Sequence, residues 1–460
     1  MSTHSMGWKH ESTMVTSLPY CPMFKADDWL GTMMRFYLET YGCSLNAADS
    51  DMIVGRLHLL GARRVQQIDA ADLIIINTCG VKEPTEDRIV YRLTELAALQ
   101  RPVIVTGCLP KISFNRVVDA IPNFAAILGP QSIDTLGNIV ERVVRGERGI
   151  VHLKSDLTSK LRFFEGPPDT VVCTVPICEG CLGSCTYCAV RLARSVLRSY
   201  TIEEIISVVR RAVHTGYREI RLTAQDTAAF GHDTGESLVE LLTALDTIEG
   251  KHRFRLGMFN SNLIADSLDE LLKVMRSDHF FKFFHMPLQS GSDAILRAMA
   301  RRYTVDEWKH VVDTIRSMFP RATIATDIIV GFPGESDDDF DATLRVIRDV
   351  RPQVVNISKY GDRPGTKASR SRHKVATSVK KDRSRRLSQM VNEMILDEHR
   401  QWVGWSGPVL VTGPAPRGGT LCRDQYYNSI IVHDRLDPGL FVGVRITEAY
   451  RSYLLAAVTS

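Results

Sequence analysis

The sequence predicts an α/β chain in three parts: an N-terminal parallel α/β domain over residues 34–150, a central incomplete barrel of six strand–helix units over 165–400, and a small antiparallel β-barrel over 401–460. Three observations carry this. Short apolar runs alternate with helix-period stretches up to about residue 150 and again from 171 to 358, which is the pattern of parallel sheets covered by helices. Residues 150–170, ending Glu165-Gly166-Pro167-Pro168-Asp169, have the composition of a linker. After Trp402 the texture changes to short β-like runs broken by Gly and Pro.

In order along the chain, residues 1–33 lack periodicity and are expected to be a flexible extension in which Cys21 is incidental. A strand is predicted at 35–40, a helix at 46–60, and strands at 72–77 and 103–107. Cys43, Cys79 and Cys108 each fall one to three residues past the end of one of these strands, beside Gly42, Gly80 and Gly107. Parallel sheets gather ligand sites at the carboxyl ends of their strands, so the three thiols are expected to converge on one crevice. The bland alternative is three buried small hydrophobes.

Beyond the linker, strands are predicted near 171–176, 218–223, 253–258, 281–288, 322–330 and 353–358. Thr201 and Glu204 form a capping box for a helix whose face is Ile202, Ile205, Ile206 and Val209. Six right-handed units curl into an incomplete barrel, with reactive groups at the strand ends. Candidates there are Gln225 and Asp226, then Gln289, Ser290 and Ser292, of which Ser292 also suits the N-cap of a helix at 293–300. Gly331-Phe332-Pro333-Gly334 forms a tight loop, and Asp337, Asp338 and Asp339 are helix-start charges. The runs 408–412, 429–432 and 442–446 suggest a barrel of the kind that holds oligonucleotides.

Composition excludes several classes. No apolar run approaches the roughly 20 residues that span a bilayer, and no signal peptide is evident, so a cytoplasmic protein without a membrane partner is expected. Ten cysteines in such a chain point to metal or catalysis rather than disulfides. The net charge of +4 is modest, but eleven Lys or Arg stand against two Asp between Lys359 and Arg386. That block, with Lys380, Lys381, Arg383, Arg385 and Arg386 at its end and the turn Arg363-Pro364-Gly365-Thr366 inside it, is a candidate phosphate surface. The alternative is a solvated helix face. Tyr426, Tyr427, Tyr450 and Tyr453 are suited either to base stacking or to packing.

The most specific signal is Cys181-Leu182-Gly183-Ser184-Cys185-Thr186-Tyr187-Cys188, a C-x3-C-x2-C run after the first barrel strand. A four-iron cluster normally takes four thiolates, so three leave one iron for an exchangeable ligand such as the amine and carboxylate of a methionine derivative. Zinc held by four of Cys173, Cys178, Cys181, Cys185 and Cys188 is the rival, although zinc sites usually pair two separated hooks.

From residue 35 onward the chain resembles the radical S-adenosylmethionine methylthiotransferases. The resemblance rests on Tyr41-Gly42-Cys43-Ser44-Leu45-Asn46, Asn77-Thr78-Cys79, Thr106-Gly107-Cys108, Glu179 through Cys188, Pro287-Leu288-Gln289-Ser290-Gly291-Ser292 and Thr326 through Glu335. It implies an auxiliary cluster on Cys43, Cys79 and Cys108, a radical cluster on Cys181, Cys185 and Cys188, and a C-terminal RNA-binding domain of the TRAM type. The implied cofactors are two 4Fe-4S clusters and S-adenosylmethionine; from their places at strand ends and in the tight loop, Gln225, Asp226, Gln289, Ser290, Ser292, Gly331 and Pro333 are the candidate contacts, with a helix-capping role the alternative for Asp226. The implied reaction adds sulfur and methyl to a tRNA adenosine, with hydrogen abstracted from C2 and an electron donor as second partner. Tyr187-Cys188-Ala189-Val190-Arg191-Leu192-Ala193-Arg194 is similar to the archaeal and eukaryotic branch, which acts on N6-threonylcarbamoyladenosine at tRNA position 37. Other branches act on isopentenyl-adenosine or a ribosomal-protein aspartate, and a non-catalytic RNA-binding metalloprotein is the rival from another class. The chain departs from the family at Ala224 and Ser195, where glycine is expected, and in having Cys178.

Overall fold

A computed structural model describes residues 33–459 except 82, 156, 157 and 195, so all but Met33 of the expected extension, and Ser195, lie outside the described residues. The N-terminal sheet runs Arg63–Arg64, Arg35–Thr40, Leu73–Thr78, Val103–Gly107, Ala126–Leu128, Ile150–His152, with every ladder parallel. Its central strands are buried throughout because helices cover both faces. Phe36, Leu38, Ile75 and Ile104 point to one side; Ile74, Ile76, Val103 and Val105 point to the other. The helix expected at 46–60 spans Ser44–His58, because Cys43 is already extended and serves as its N-cap position. The three outer strands were not expected; at two or three residues each they carry no period.

The central strands are Val172–Pro176, Glu219–Thr223, Arg253–Leu256, Phe283–His285, Thr323–Val330 and Val354–Lys359. They form two parallel triplets joined through a bridge between Phe254 and Phe280, so the arc follows chain order and stays open between its first and last strands. The fourth strand is shorter than the 281–288 expected; Pro287 has no N–H to continue the ladder. Ile220, Leu222, Phe254, Leu256, Phe284 and Ile324 join the core under the helices, and the residues between them, including Arg221, Arg255 and His285, take the inner wall. The Thr201 capping box is present, with Thr201 Oγ1 accepting from Glu204 N at 3.2 Å and Glu204 Oε2 accepting from Thr201 N at 3.0 Å. Ser336 caps the helix that opens with the three aspartates.

The C-terminal part is a closed five-stranded barrel over Val409, Val411, Ile430, Val432, Val444 and Ile446. One of its ladders, Ser429–Val432 with Leu454–Val458, is parallel, a departure from the purely antiparallel expectation. Its loop at 424–428 closes the lower end of the central arc: Lys282 N donates to Gln425 O at 2.7 Å and Thr323 Oγ1 donates to Tyr426 O at 2.7 Å. Among the described residues no helix is long and apolar enough to cross a membrane.

Candidate functional site

The fold brings Cys43, Cys79 and Cys108 to the carboxyl edge of three adjacent strands, in the register Thr40 beside Asn77 and Thr78 beside Gly107. Asn46 fixes the crevice. Its Nδ2 donates to Tyr41 O and Thr78 O, each at 2.9 Å, and its own carbonyl accepts from Asn77 Nδ2 at 2.8 Å. Cys43 is exposed while Cys79 and Cys108 are buried, and burial pushes the Cys79 thiol up to about 11.

Cys181, Cys185 and Cys188 occupy the loop between the short strand Cys178–Glu179 and the helix Val190–Ala193. Gly183 N donates to Cys181 Sγ at 3.2 Å and Arg301 Nη1 to Cys185 Sγ at 3.3 Å, contacts that suit anionic sulfur. Burial pushes Cys181 up to about 11. Gln225 supports the loop, its Oε1 accepting from Gly180 N at 2.8 Å. Asp226 is fully buried and accepts from Asn260 N at 3.1 Å, Asn260 Nδ2 at 2.5 Å and Ala228 N at 3.2 Å. Asn260 in turn receives Arg301, so a chain of contacts leads from Asp226 to the Cys185 sulfur. Asp226, Asn260, Arg301 and Cys185, with Leu182, Gly183 and Asn262, line a small open pocket.

Gln289 has φ of +73° and threads into the sheet, with its N donating to Asp327 O at 2.8 Å; its buried Oε1 has no hydrogen-bond partner among the described residues. Ser290 Oγ accepts from Ser292 N at 3.2 Å. Ser292 caps the helix Asp293–Ala298 and donates to Asp339 Oδ1 at 2.5 Å, which commits its hydroxyl to the fold. Gly331 N donates to Glu335 Oε2 at 2.6 Å, closing the turn that contains Pro333. Cys173 and Cys178 are buried in the apolar core of the barrel, whereas the three loop cysteines are partly exposed; Cys178 Sγ donates to Asp226 O at 3.7 Å.

A buried ionic group links the two triads. Arg194, 1% exposed, donates to Glu179 Oε2 at 2.7 Å, to Cys108 Sγ at 3.5 Å, to Asn46 Oδ1 at 3.3 Å and to Asp49. Lys160 joins Asp49 at 2.5 Å and Glu179 at 2.7 Å. One guanidinium therefore touches Cys108 and the residue two places before Cys181. Sequence reasoning gave Glu179 and Arg194 no role of their own, although both lie in motifs that carry the resemblance, and it missed Asn260 and Arg301, which no local pattern marks.

The basic segment divides. Arg363 is no surface contact: it is buried, donating to Gly80 O at 2.5 Å and to Glu86, and so clamps the N-terminal domain to the barrel. Arg383, grouped by sequence with the RNA-facing cations, is turned inward onto Glu335 and Asp337, each at 2.7 Å. Lys380 Nζ donates to Tyr360 O at 3.2 Å. Lys381, Arg385 and Arg386 are exposed, Arg385 beside Asp382 and Arg386 beside Asp341. Tyr427 packs against Phe281 and Phe283, and Tyr426 against Trp402. Tyr450 and Tyr453 stack on each other with ring centroids 4.7 Å apart.

Among the described residues no three Cys, His, Asp or Glu side chains are placed to share one metal ion. A lone zinc would need its thiolates about 2.3 Å from one point; a cluster several atoms across spans a wider triad. Three thiols per group, with N–H and guanidinium donors aimed at sulfurs of both groups, fit such a cluster.

Comparison with known proteins gives two family matches: the radical SAM superfamily over residues 175–347 and the uncharacterized protein family UPF0004 over 35–129. A probable threonylcarbamoyladenosine tRNA methylthiotransferase of Pyrococcus horikoshii is 39% identical over 93% of this chain and 100% of its own length. The threonylcarbamoyladenosine tRNA methylthiotransferase of Danio rerio is 32% identical over 94% of this chain and 79% of its own. Among solved structures, a radical S-adenosylmethionine methyltransferase from Kitasatospora setae shares the fold with a TM-score of 0.58 at 10% identity, covering 74% of this chain and 75% of that one.

Proposed function

The chain belongs to the threonylcarbamoyladenosine tRNA methylthiotransferase family, and from that membership and its two cysteine triads we propose that it converts N6-threonylcarbamoyladenosine at position 37 of tRNA to the 2-methylthio derivative. It is a radical SAM transferase, and its cofactors are S-adenosylmethionine and 4Fe-4S clusters. The observation that carries the reading is the pair of triads joined by Arg194, since sulfur insertion needs a radical source and a sulfur source within reach of one base.

In this reading Cys181, Cys185 and Cys188 hold the radical cluster and Cys43, Cys79 and Cys108 the auxiliary one. When bound, these groups and S-adenosylmethionine supply the one-electron chemistry, the methyl group and the sulfur. The chain's residues place and shield them. Gln225 keeps the cysteine loop in position through Gly180, and Asp226 orients Asn260 and Arg301 over the pocket. Gln289 Oε1, buried without a hydrogen-bond partner among the described residues, offers a polar contact at its strand end, while Ser290, Ser292, Gly331 and Pro333 shape the strand-end loops. The partners are tRNA and an electron donor, and the compartment is the cytoplasm, where thiols stay reduced.

Reconstituted protein given S-adenosylmethionine, dithionite and tRNA carrying the threonylcarbamoyl group should yield the 2-methylthio nucleoside by mass spectrometry. Product formed only from isopentenyl-adenosine tRNA, or none with either, would reject the assignment.

Lys381, Arg385 and Arg386 are the cations on the long helix Thr377–Arg400 best placed to meet phosphate. Changing all three to Gln should lower the slope of log affinity against log salt for tRNA by about 2–3, roughly one for each phosphate that is no longer neutralised. An unchanged slope would leave them as a solvated face.

A further inference from the structure

The inner wall of the open barrel carries a cluster of cations that the chemistry so far does not use. Arg221 and Arg255 are register partners on neighbouring strands. Arg221 lies two residues, about 7 Å, below the strand end at Thr223. From below, the C-terminal barrel adds Arg423, whose guanidinium lies 4.5 Å from the Tyr427 ring; Arg255 stacks on the same ring at 5.1 Å and on Phe283 at 4.5 Å. Among the described residues the one carboxylate hydrogen-bonded within this group is Glu219, whose Oε1 accepts from Arg221 Nε at 2.6 Å and from Tyr427 OH at 2.5 Å. Arg423 donates to Tyr427 O at 3.2 Å and Ser429 Oγ at 2.6 Å, both neutral. The Nε atoms of Arg255 and Arg423 are buried without hydrogen-bond partners among the described residues.

Three guanidiniums against one carboxylate leave a surplus of positive charge in a partly dehydrated wall, and leaving a cation there uncompensated is costly. Arg221 keeps 34% of its side chain exposed, so the group is not sealed from solvent. Flat guanidinium forks with unused N–H groups match a carboxylate in geometry and charge. The proposed substrate offers one: the threonylcarbamoyl substituent ends in a free carboxylate, whereas an isopentenyl group is neutral. Resting on the assignment above, we propose that Arg255, with Arg221 and Arg423, binds the carboxylate of the threonylcarbamoyl group and thereby selects the substrate. A backbone phosphate of the same tRNA is the other source of such an anion.

The test is equilibrium binding of the reconstituted full chain, at fixed salt, to anticodon stem-loops differing only at the modified adenosine: threonylcarbamoyl, its carboxamide, and isopentenyl. Wild-type protein should bind the carboxylate form about tenfold or more tighter than the carboxamide, as for loss of a charged hydrogen-bonded pair. Arg255→Met should bring all three within about twofold by weakening the first alone, and Arg255→Lys should keep part of the preference. Equal binding of the three by wild-type protein overturns the proposal without any variant. An equal loss on all three in Arg255→Met overturns it in favour of phosphate. Failure of the substrate assignment reads differently, as absence of methylthiolation of threonylcarbamoyl tRNA whatever the binding preference.

Discussion

Arg194→Met is expected to loosen the N-terminal domain from the barrel and to cost about 3–5 kcal/mol, the usual penalty for removing one member of a buried ionic group. The wild-type arrangement sets two cations, Arg194 and Lys160, against Asp49 and Glu179, all almost fully buried. Without the guanidinium, two carboxylates share one ammonium in a site that water does not reach, and the Cys108 sulfur loses its donor. Arg194→Lys should recover little, because one ammonium lacks the fork that reaches both acids. The pH dependence follows from Glu179. Burial pushes its carboxyl up, but Lys160 and Arg194 outweigh this and hold it at about 2 rather than the ordinary 4.5. A lowered carboxyl stabilises the folded form above about pH 4.5, and this contribution is lost as pH falls from there through about 2. In Arg194→Met the acid edge should move upward toward the ordinary carboxylate range. Limited proteolysis in the interdomain linker, followed against pH, reads both effects; a variant as resistant as wild type would show that the network does not tie the domains.

The contrast between what sequence revealed and what it hid has a physical basis. Leu73-Ile74-Ile75-Ile76 and Val103-Ile104-Val105 were legible as strands because a parallel strand covered on both faces must be apolar at every position. The cysteines were legible because strand ends are where such sheets gather chemistry. Arg194 was not, since its meaning depends on Asn46 and Cys108, 148 and 86 residues away. The same holds for Arg363, whose partner Gly80 is 283 positions distant. Counting charges between Lys359 and Arg386 overstated the solvated surface, because the acids that neutralise Arg383 come from the helix start at Asp337 and the turn at Glu335. Arg221 and Arg255 read as ordinary strand residues until the register set them side by side above Tyr427.

Gly180→Ala and Gly107→Ala should each remove one cluster and spare the other. Both glycines have left-handed backbone, φ +79° and +98°, which alone costs a side-chain residue about 1–2 kcal/mol. The steric cost is larger. A Cβ on Gly180 would lie 2.0 Å from the Val196 carbonyl oxygen, and one on Gly107 would lie 2.3 Å from the Thr78 carbonyl oxygen. These are backbone atoms that cannot swing aside as a side chain would; Thr78 O is further held by Cys108 N and Asn46 Nδ2. The loop carrying the substituted residue must move instead, and the next residue in each case is a cysteine of one triad. Anaerobic reconstitution of wild type should give about eight irons per chain, four per cluster, and each variant about four. Their chemistry should divide accordingly. Gly107→Ala should still cleave S-adenosylmethionine to methionine and deoxyadenosine under dithionite but add no sulfur to tRNA, and Gly180→Ala should do neither while retaining the auxiliary iron. Loss of all iron from Gly107→Ala would mean that the two sites fold as one unit through Arg194, and the assignment of separate roles to the triads would fail.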